Sequence, residues 1–217
     1  MVKDGLLITF EGMEGSGKTT QIQRLSAVLS QAGYAVCVTR EPGGTPISEE
    51  IRGIFLNPNH NEMESTTELL LIAAARAQHV SEVILPALDG GKIVISDRYS
   101  DATVVYQGYR CGLDLNLIHK LNRIAAHGLS PERTFVLDLP VEIGLKRVQQ
   151  RRSAMNRLDL EDFESHNRIR EAYLAIASQE PDRITIIDAE ANVDSIHELI
   201  KSEVDDLLRT KGVERKL

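Results

Sequence analysis

The stretch TFEGMEGSGKTT, residues 9–20, decides the fold of this chain. It contains the pattern G-x-x-x-x-G-K-[ST] at Gly12, Gly17, Lys18 and Thr19. An apolar run of strand length, LLITFEG, precedes the pattern, and a segment with helical periodicity, TTQIQRLSAVLSQAG, follows it. A strand, a glycine-rich loop and a helix in this order direct backbone N–H groups and a helix N-terminus at phosphate oxygens. The stretch therefore predicts a binding site for a nucleoside triphosphate.

Two residues of the loop have specific expected roles, and a third raises a question. Lys18 is expected to bridge the β- and γ-phosphates, and the Thr19 hydroxyl is expected to ligate Mg²⁺. Glu14, however, puts a carboxylate in the middle of a loop that should hold a polyanion. A carboxylate repels a phosphate at close range, so the position of Glu14 has to be explained.

Length and composition limit the classes of protein to consider. The 217 residues suffice for one well-packed domain. A net charge of −7, no tryptophan and 4% aromatic residues argue against a nucleic-acid surface, although a local basic patch can bind a small phosphorylated ligand. No apolar run approaches the roughly 18 residues of a membrane span, and the N-terminus lacks a signal-sequence pattern. Cys37 and Cys111 form no CxxC or Cys/His pattern, so a reducing, cytoplasmic location is expected.

Strands alternate with helices along the whole chain. The later predicted strands are YAVCVTR, KIVISD, TFVLDL and RITIID, and each is rich in Ile, Val and Leu. Such strands are typical of a parallel sheet that is covered on both faces. The segment TTELLLIAAARAQHVSEVILPALDGG is predicted to form one long buried helix. The expected fold is therefore α/β, with helices on both faces of a parallel sheet in three layers, as one domain over residues 1–217.

A triphosphate site is compatible with three classes of protein. A GTPase should carry an N-K-x-D segment that reads guanine, and the chain has none. An ATP-driven motor or transporter subunit usually needs a larger chain with its own signature, and none is visible. A kinase for a small acceptor should have further arginines and carboxylates in segments after the loop. The chain has such residues, which favours the kinase.

Three segments after the loop carry candidate acceptor residues. In TREPGGT, Arg40 and Glu41 follow a strand, and the Pro-Gly-Gly turn suits a binding crevice or an ordinary connection. In ISDRYSD, Asp97 ends a strand where a second carboxylate would orient Mg²⁺, unless it pairs with a structural partner. Arg98 beside it would neutralise a transferring phosphoryl group. Arg76 lies in an apolar helical stretch, so it needs an anionic or hydrogen-bonding partner, either a ligand or a core group.

Together these segments resemble those of the thymidylate kinase family, which transfers the γ-phosphate of ATP to dTMP. The resemblance runs from FEGMEGSGKTT through TREPGGT, AAARAQH, DRYSDATVVYQG and FVLDLPVEIGLKR to FESHNRIREAY, and the order and spacing of the segments make it specific. It implies a P-loop nucleoside-monophosphate kinase fold, Mg²⁺ dependence, a mobile LID segment and a homodimer packed through helices. It also implies ATP and dTMP as small-molecule partners, with no nucleic acid and no membrane.

The resemblance implies roles for individual residues at both ends of the site. Arg52 and Arg98 are expected to contact the phosphate of dTMP, and Arg76, Thr103 and Gln107 its thymine ring. The full set expected around dTMP is Glu14, Glu41, Arg52, Ile72, Arg76, Arg98, Thr103 and Gln107. The residues expected around ATP are Gly12, Met13, Glu14, Gly15, Ser16, Gly17, Lys18, Thr19, Thr20 and Arg147. The metal ligands are expected to be Thr19 and Asp97.

The resemblance also gives Glu14 a place and predicts where a catalytic arginine lies. Glu14 is expected near the sugar of dTMP, because a carboxylate accepts a hydrogen bond from a 3′-hydroxyl. One group of the family has an Asp-Arg pair inside the loop, whereas this chain has no arginine between Gly12 and Lys18. The missing charge is then expected from a LID at about residues 148–160. The catalytic residues would be Lys18, Arg98, Arg151, Arg152 and Arg157.

Several alternatives stay open at this point. From its residues alone, QQRRSAMNRLDLED suits a solvated helix face as well as a LID. Ile72 stands where many family members stack an aromatic residue on thymine, Ala102 replaces a serine, and Asn156 replaces an aspartate of the LID. The aromatic term lost at Ile72 is about 0.5–1.5 kcal/mol. The preference for dTMP over dUMP is therefore open, as are a kinase for another monophosphate and a regulatory protein that binds nucleotide without transfer.

Overall fold

The computed structural model describes residues 5–150 and 156–213, and these form a five-stranded sheet. All neighbouring strands are parallel, in the order β2-β3-β1-β4-β5. The strands are β1 (Leu6–Glu11), β2 (Val36–Arg40), β3 (Ile93–Asp97), β4 (Arg133–Asp138) and β5 (Ile184–Asp188). Phe10 of β1 lies beside Asp97 of β3, so the carboxyl ends of these two strands meet at the centre of the sheet.

Helices connect the strands. They are α1 (Lys18–Gln31), α2 (Pro46–Leu56), α3 (Ser65–His79), α4 (Leu85–Asp89), α5 (Ser100–Thr103), α6 (Leu115–Ala125), α7 (Val141–Gln150), α8 (Phe163–Gln179) and α9 (Val193–Lys211). A π-helical stretch, Val80–Ile84, joins α3 to α4, and a second, Val104–Arg110, continues α5. A 3₁₀ turn covers Arg157–Leu160. The long helix predicted before the third strand is confirmed, and it contains the first π-helical stretch.

Alternate residues of β1 pack on opposite faces of the sheet. Ile8 packs on one face with Leu25 of α1 and Ile200 of α9. Leu7 packs on the other face with Ile84 of the helical stretch from α3 to α4. Each of these fully buried side chains contributes about 1.5–3 kcal/mol through the apolar area removed from water. The predicted three-layer α/β arrangement is confirmed.

Helices α2 and α3 form the wall that faces the glycine-rich loop. The α2 helix begins at an N-cap, Thr45, whose Oγ1 accepts a hydrogen bond from the Ser48 N–H (3.1 Å), and Pro46 occupies its first turn. The Ser48 hydroxyl donates to the Ala75 carbonyl of α3 (2.9 Å). This bond fixes α2 against α3 and so fixes the positions of the arginines that both helices carry.

The helical stretch Ser65–Asp89 is long and apolar enough to cross a bilayer by length and composition alone. The expectation that the chain has no apolar stretch of that length is therefore wrong. It failed because the charged residues Glu68 and Arg76 interrupt the apolar residues of this stretch. Core helices of globular domains pass the same test. Here Val80 and Ile84 have no exposed surface, because they pack against the sheet.

Candidate active site

The glycine-rich loop after β1 takes a shape that only glycine accommodates. Gly12, Gly15 and Gly17 have φ angles of 126°, 79° and 96°, in the left-handed region. A Cβ on Gly12 would lie 2.5 Å from the Leu137 carbonyl oxygen, and one on Gly15 would lie 2.5 Å from the Gly144 carbonyl oxygen. The loop therefore packs closely on β4 and α7. Its last glycine leads directly into α1, whose N-terminus faces the cleft.

Lys18 is buried at the start of α1 and bends back over the loop. Its Nζ donates to the carbonyl oxygens of Gly12 and Met13, each at 3.0 Å. Burial lowers the pKa of Lys18, and the nearby Arg98 guanidinium lowers it further, whereas the carboxylate of Glu14 raises it. Because the ammonium group is held by carbonyl oxygens of the loop itself, it stays close to any phosphate that the loop binds.

A hydroxyl and a carboxylate meet beside the loop. The Thr19 hydroxyl of α1 donates to Oδ2 of Asp97, which ends β3, at 3.5 Å. Both side chains line the cleft. The parallel pairing of β1 and β3 brings them together, as expected from the position of Asp97 at a strand end. In the two described ranges, no group of three or more His, Cys, Asp or Glu side chains could hold a metal ion.

The loop, β3 and helices α2 and α3 enclose a cleft of about 620 Å³. That volume suits small-molecule ligands. Predicted donor residues that line it are Glu14, Gly15, Ser16, Gly17, Lys18, Thr19, Thr20 and Arg147. Predicted acceptor and metal residues that line it are Glu41, Arg52, Ile72, Arg76, Asp97, Arg98, Thr103 and Gln107. Two more predicted residues, Gly12 and Met13, lie in the loop behind this surface, and the Arg147 guanidinium donates to the Gly15 carbonyl (3.1 Å).

Arg98, which directly follows β3, lines the cleft beside the glycine-rich loop. Its guanidinium donates to Oε1 of Glu14 and to the hydroxyl of Tyr173, both at 3.0 Å. It also lies over the ring of Tyr106, 5.0 Å from the ring centroid. Burial alone lowers the pKa of Arg98, but the two tyrosines and Glu14 together raise it above its usual range. Glu14 thus pairs with an arginine across the cleft.

Arg52 of α2 approaches the same region from the opposite wall. Its Nη1 donates to the Pro42 carbonyl oxygen at 2.8 Å. Burial lowers the pKa of Arg52, and the positive charges of Arg40 and Arg98 lower it further, so like charges are crowded here. Positive side chains held this close to one another form a site for an anionic group.

Arg76 is buried at the far end of the cleft, with 2% of its surface exposed. It donates to Oε2 of Glu41 (2.7 Å), to Oδ1 of Asn122 (2.7 Å) and to the Tyr99 carbonyl (3.0 Å). The other oxygen of Glu41 contacts Nδ1 of His79 at 3.0 Å. Both oxygens of Glu41 are therefore engaged by protein groups, and Glu41 holds Arg76 in place. A guanidinium has five N–H groups, so Arg76 retains donors for a ligand.

Three uncharged side chains surround the space next to Arg76. Ile72 provides an apolar wall, and Thr103 Oγ1 is buried without a hydrogen-bonding partner in the described part of the chain. Nε2 of Gln107 donates to Oε1 of Glu68 at 2.6 Å. Because a carboxylate accepts only, the amide nitrogen of Gln107 must face Glu68, which directs its oxygen elsewhere.

The predicted LID residues divide into two groups. Arg151 and Arg152 lie outside the described residues. Arg157 contacts helices α2 and α3, where its Nη2 donates to Oε2 of Glu68 (2.5 Å) and its Nε donates to the Phe55 carbonyl (3.1 Å). Arg157 is therefore held by residues of α2 and α3.

Comparisons with known proteins agree with this geometry. The family model described as thymidylate kinase matches residues 10–200, which include the loop, both walls of the cleft and α8. The chain belongs to the thymidylate kinase family. Its membership explains why a triphosphate loop and a second set of arginines share one cleft.

Curated thymidylate kinases are similar over nearly the full chain. That of Syntrophotalea carbinolica is 50% identical over 194 residues, which cover 87% of this chain and 90% of that protein. That of Maridesulfovibrio salexigens is 47% identical over 213 residues, which cover 95% of this chain and 97% of that protein. The crystal structure of thymidylate kinase from Ehrlichia chaffeensis has a TM-score of 0.76 and 33% identity, covering 93% of this chain and 98% of that one.

Glu11, Glu68 and Tyr173, which contact residues of the cleft, were not predicted from the sequence, and neither was Tyr106, which lines it. Glu11 and Glu68 are carboxylates inside apolar segments, with 0% and 2% of their surface exposed. Tyr173 belongs to α8, in the segment FESHNRIREAY, where no local pattern marks it. The one available signal was the cost of burying a carboxylate, which requires partners just as it does for Arg76.

Proposed function

We propose that this cleft is the active site in which the thymidylate kinase transfers the γ-phosphate of ATP to dTMP, forming dTDP and ADP. The observation that carries the proposal is one cleft with positively charged side chains at two ends. The glycine-rich loop with Lys18 forms one end, and the arginines Arg52 and Arg98 form the other. Two phosphorylated nucleotides bound head to tail in it bring the γ-phosphate of one to the phosphate of the other.

The donor end would hold ATP through the loop and α1. Its backbone N–H groups and the helix N-terminus would bind the phosphates, with Lys18 at the β- and γ-phosphates. Thr19 and Asp97 fit Mg²⁺, since they offer a hydroxyl and a carboxylate oxygen 3.5 Å apart at this end. Magnesium is typically bound by one or two protein oxygens together with substrate phosphates. When bound, it would neutralise charge on the transferring group.

The acceptor end would hold dTMP with its base next to Arg76. The remaining donors of Arg76 would bind a carbonyl oxygen of thymine, and Thr103 and Gln107 would bind polar atoms of the base. The unpartnered Thr103 hydroxyl supports this, because a buried hydroxyl without a partner costs about 1–3 kcal/mol. Ile72 would cover the face of the base. Glu41 would act indirectly, by holding Arg76.

The two arginines and the loop carboxylate would orient the other half of dTMP. Arg52 and Arg98 would bind its phosphate, whose oxygen attacks the γ-phosphate of ATP. Glu14 would accept a hydrogen bond from the 3′-hydroxyl of the sugar while it pairs with Arg98. Because the acceptor phosphate is already anionic, no protein base is needed, and catalysis consists of positioning and charge neutralisation.

A LID at about residues 148–160 would supply further positive charge. An arginine at the transferring phosphoryl group is worth roughly 10³–10⁵ in rate. Arg157 is held by Glu68 of α3, so Arg151 and Arg152 become the first candidates for this role. Alanine variants at these three positions should separate the roles. If kcat of all three variants stays within a factor of two of the parent value, the proposed role of the LID is wrong.

A homodimer and a cytoplasmic location complete the proposal. Apolar side chains are exposed on neighbouring helices, at Leu70 of α3 and at Leu117 and Ile124 of α6. Exposed apolar residues on packed helices are typical of a helical subunit interface. Cys37 and Cys111 are free thiols, as is usual in a reducing compartment.

A phosphoryl-transfer assay tests the function directly. The protein is incubated with ATP, Mg²⁺ and dTMP, dUMP, dCMP or dGMP in turn, and diphosphate formation is measured. We expect dTMP to give the highest kcat/KM. Lys18→Ala should lower it by at least about 10²-fold, the effect of losing one group that stabilises transition-state charge, whereas Lys211→Ala at the exposed end of α9 should leave it unchanged. Preference for another monophosphate, or full activity in Lys18→Ala, would contradict the proposal.

A further inference from the structure

Glu11, the last residue of β1, is a fully buried carboxylate directly beneath the glycine-rich loop. Its Oε1 accepts a hydrogen bond from the Tyr99 N–H at 2.7 Å. Its Oε2 accepts one from the hydroxyl of Tyr173, a residue of α8, at 2.8 Å. Burial raises the pKa of Glu11 to about 7, which measures how costly the ionised group is at this place. None of the roles proposed so far uses this carboxylate.

Tyr173 connects Glu11 to the guanidinium of Arg98. Nη1 of Arg98 and the Tyr173 hydroxyl oxygen are 3.0 Å apart. A guanidinium only donates, so the tyrosine oxygen accepts from Arg98 and its hydrogen is left for Glu11. When Glu11 is ionised, the three groups form a chain in which every donor and acceptor role is fixed. The guanidinium therefore has one preferred orientation towards the cleft.

The main chain at Arg98 is held by the same carboxylate. Arg98 has a φ angle of 72°, a left-handed conformation that is uncommon outside glycine. Its own N–H donates to the Phe10 carbonyl at 2.9 Å, and the next N–H, that of Tyr99, donates to Glu11. Glu11 and its neighbour in β1 thus fix the backbone on both sides of the Arg98 side chain.

We propose that Glu11 is a positioning residue for Arg98, holding its backbone through the Tyr99 N–H and its guanidinium through the Tyr173 hydroxyl. This inference rests on the proposed role of Arg98 at the phosphate of dTMP. It predicts that the chain from Glu11 to Arg98 matters for the phosphate and not for the thymine end of the cleft. A merely structural contact between β1 and α8 would affect the whole cleft instead.

The test compares two ligands that differ only in the phosphate. Dissociation constants of dTMP and of thymidine are measured by calorimetry for the parent, Tyr173→Phe, Glu11→Gln and Arg98→Ala. Tyr173→Phe removes only the relay hydroxyl. Glu11→Gln retains one oxygen that can accept from the Tyr99 N–H, but it places an amide NH₂, which cannot accept, next to the Tyr173 hydroxyl. Tyr109→Phe, which removes a hydroxyl from a more exposed tyrosine, is the matched control. Circular dichroism and Tm establish that each variant is folded.

We expect Tyr173→Phe and Glu11→Gln to raise the dissociation constant of dTMP by about tenfold and to leave that of thymidine unchanged. A tenfold change is the scale of one hydrogen bond to a charged group. Tyr109→Phe should change neither constant. In the double variant Arg98→Ala with Tyr173→Phe, dTMP should bind no more weakly than in Arg98→Ala alone, because the relay then has nothing to position.

Two distinct results would overturn the reasoning. In the first, Arg98→Ala weakens the binding of dTMP and not that of thymidine, but the Tyr173 and Glu11 variants weaken the binding of both ligands equally or of neither. The positioning role of Glu11 is then wrong, and the proposed role of Arg98 stands. If Arg98→Ala does not weaken dTMP relative to thymidine, the proposed phosphate site itself is wrong. Should one relay variant fail to fold, the other decides the question.

Discussion

Removing the Arg76 guanidinium should destabilise the fold and abolish activity, and the two effects can be separated. In Arg76→Met the shape of the side chain is roughly kept, but Glu41 loses its partner at 2.7 Å while remaining 4% exposed. Breaking a buried ion pair from one side costs about 3–5 kcal/mol, because an uncompensated charge stays buried. His79 still contacts the other oxygen of Glu41, so we expect the lower end, about 3 kcal/mol. That loss is a large part of the roughly 5–15 kcal/mol that stabilises a typical domain.

A second substitution distinguishes this cause from lost packing. Glu41→Gln removes the charge that Arg76→Met leaves unpaired. In the double variant we expect most of the stability to return, to within about 1 kcal/mol of the parent, since a pair replaced by neutral groups leaves no buried charge. Activity on dTMP should stay lost, because the donors of Arg76 towards the base are absent in both variants.

Urea unfolding at neutral pH, followed by circular dichroism, gives the free energies of unfolding of the parent, the two single variants and the double variant. Diphosphate formation is measured on the same samples. A loss below 1 kcal/mol in Arg76→Met, or a double variant as unstable as the single one, would refute the account of Glu41 as the group that holds Arg76. Recovered activity in the double variant would refute the role of Arg76 in binding dTMP.

Further predictions concern two glycines, the buried Glu11 and the exposed Ile124. Gly15→Ala places a Cβ 2.5 Å from the Gly144 carbonyl oxygen at a φ of 79°, so it should lower Tm and raise KM for ATP. Gly53→Ala in α2 is the control, because a Cβ there meets nothing within 4 Å. It should raise the free energy of unfolding by about 0.5–1 kcal/mol. The folded protein holds a proton on Glu11 that the unfolded chain releases between pH 4.5 and about 7, so this group makes stability fall as pH rises through that interval, by at most about 3 kcal/mol. The free energy of unfolding of Glu11→Gln, measured in urea titrations, should therefore rise relative to that of the parent between pH 5 and pH 8. A difference between the two proteins that does not change with pH would contradict the raised pKa of Glu11. Ile124→Glu, at a residue 72% exposed on α6, should yield monomers in sedimentation experiments, and an unchanged dimer would place the interface elsewhere.

The parts of the molecule that the sequence predicted are those encoded by neighbouring residues. The alternation of strands and helices follows from local periodicity, and the glycine-rich loop from a spacing of eight residues. Contacts between side chains far apart in the sequence could not be predicted in this way. The Tyr173 hydroxyl meets Arg98 across 75 positions and Glu11 across 162. The same limit explains Glu41, expected among the ligand contacts, whose oxygens are occupied by two residues of α3.

The Glu14 carboxylate is explained by the same kind of long-range contact. It accepts from Arg98, 84 positions away, at 3.0 Å, so its negative charge is neutralised by the arginine that follows β3. The pair links the loop to the end of β3 and shares Arg98 with Tyr173. A carboxylate in a phosphate loop is therefore electrostatically reasonable where an arginine from another strand lies next to it.

Net charge is a poor guide to the charge at the site. The chain carries −7 overall, yet among residues 5–150 and 156–213 six cationic side chains line the cleft against three carboxylates. The cations are Lys18, Arg40, Arg52, Arg76, Arg98 and Arg147, and the carboxylates are Glu14, Glu41 and Asp97. Field lines concentrate in a concave, poorly solvated site, so a small polyanion responds to this local excess of positive charge. An extended nucleic acid would instead respond to the net charge of −7 of the whole chain. The same sequence therefore disfavours a long polyanion and favours two short ones, which is what a kinase acting on nucleotides requires.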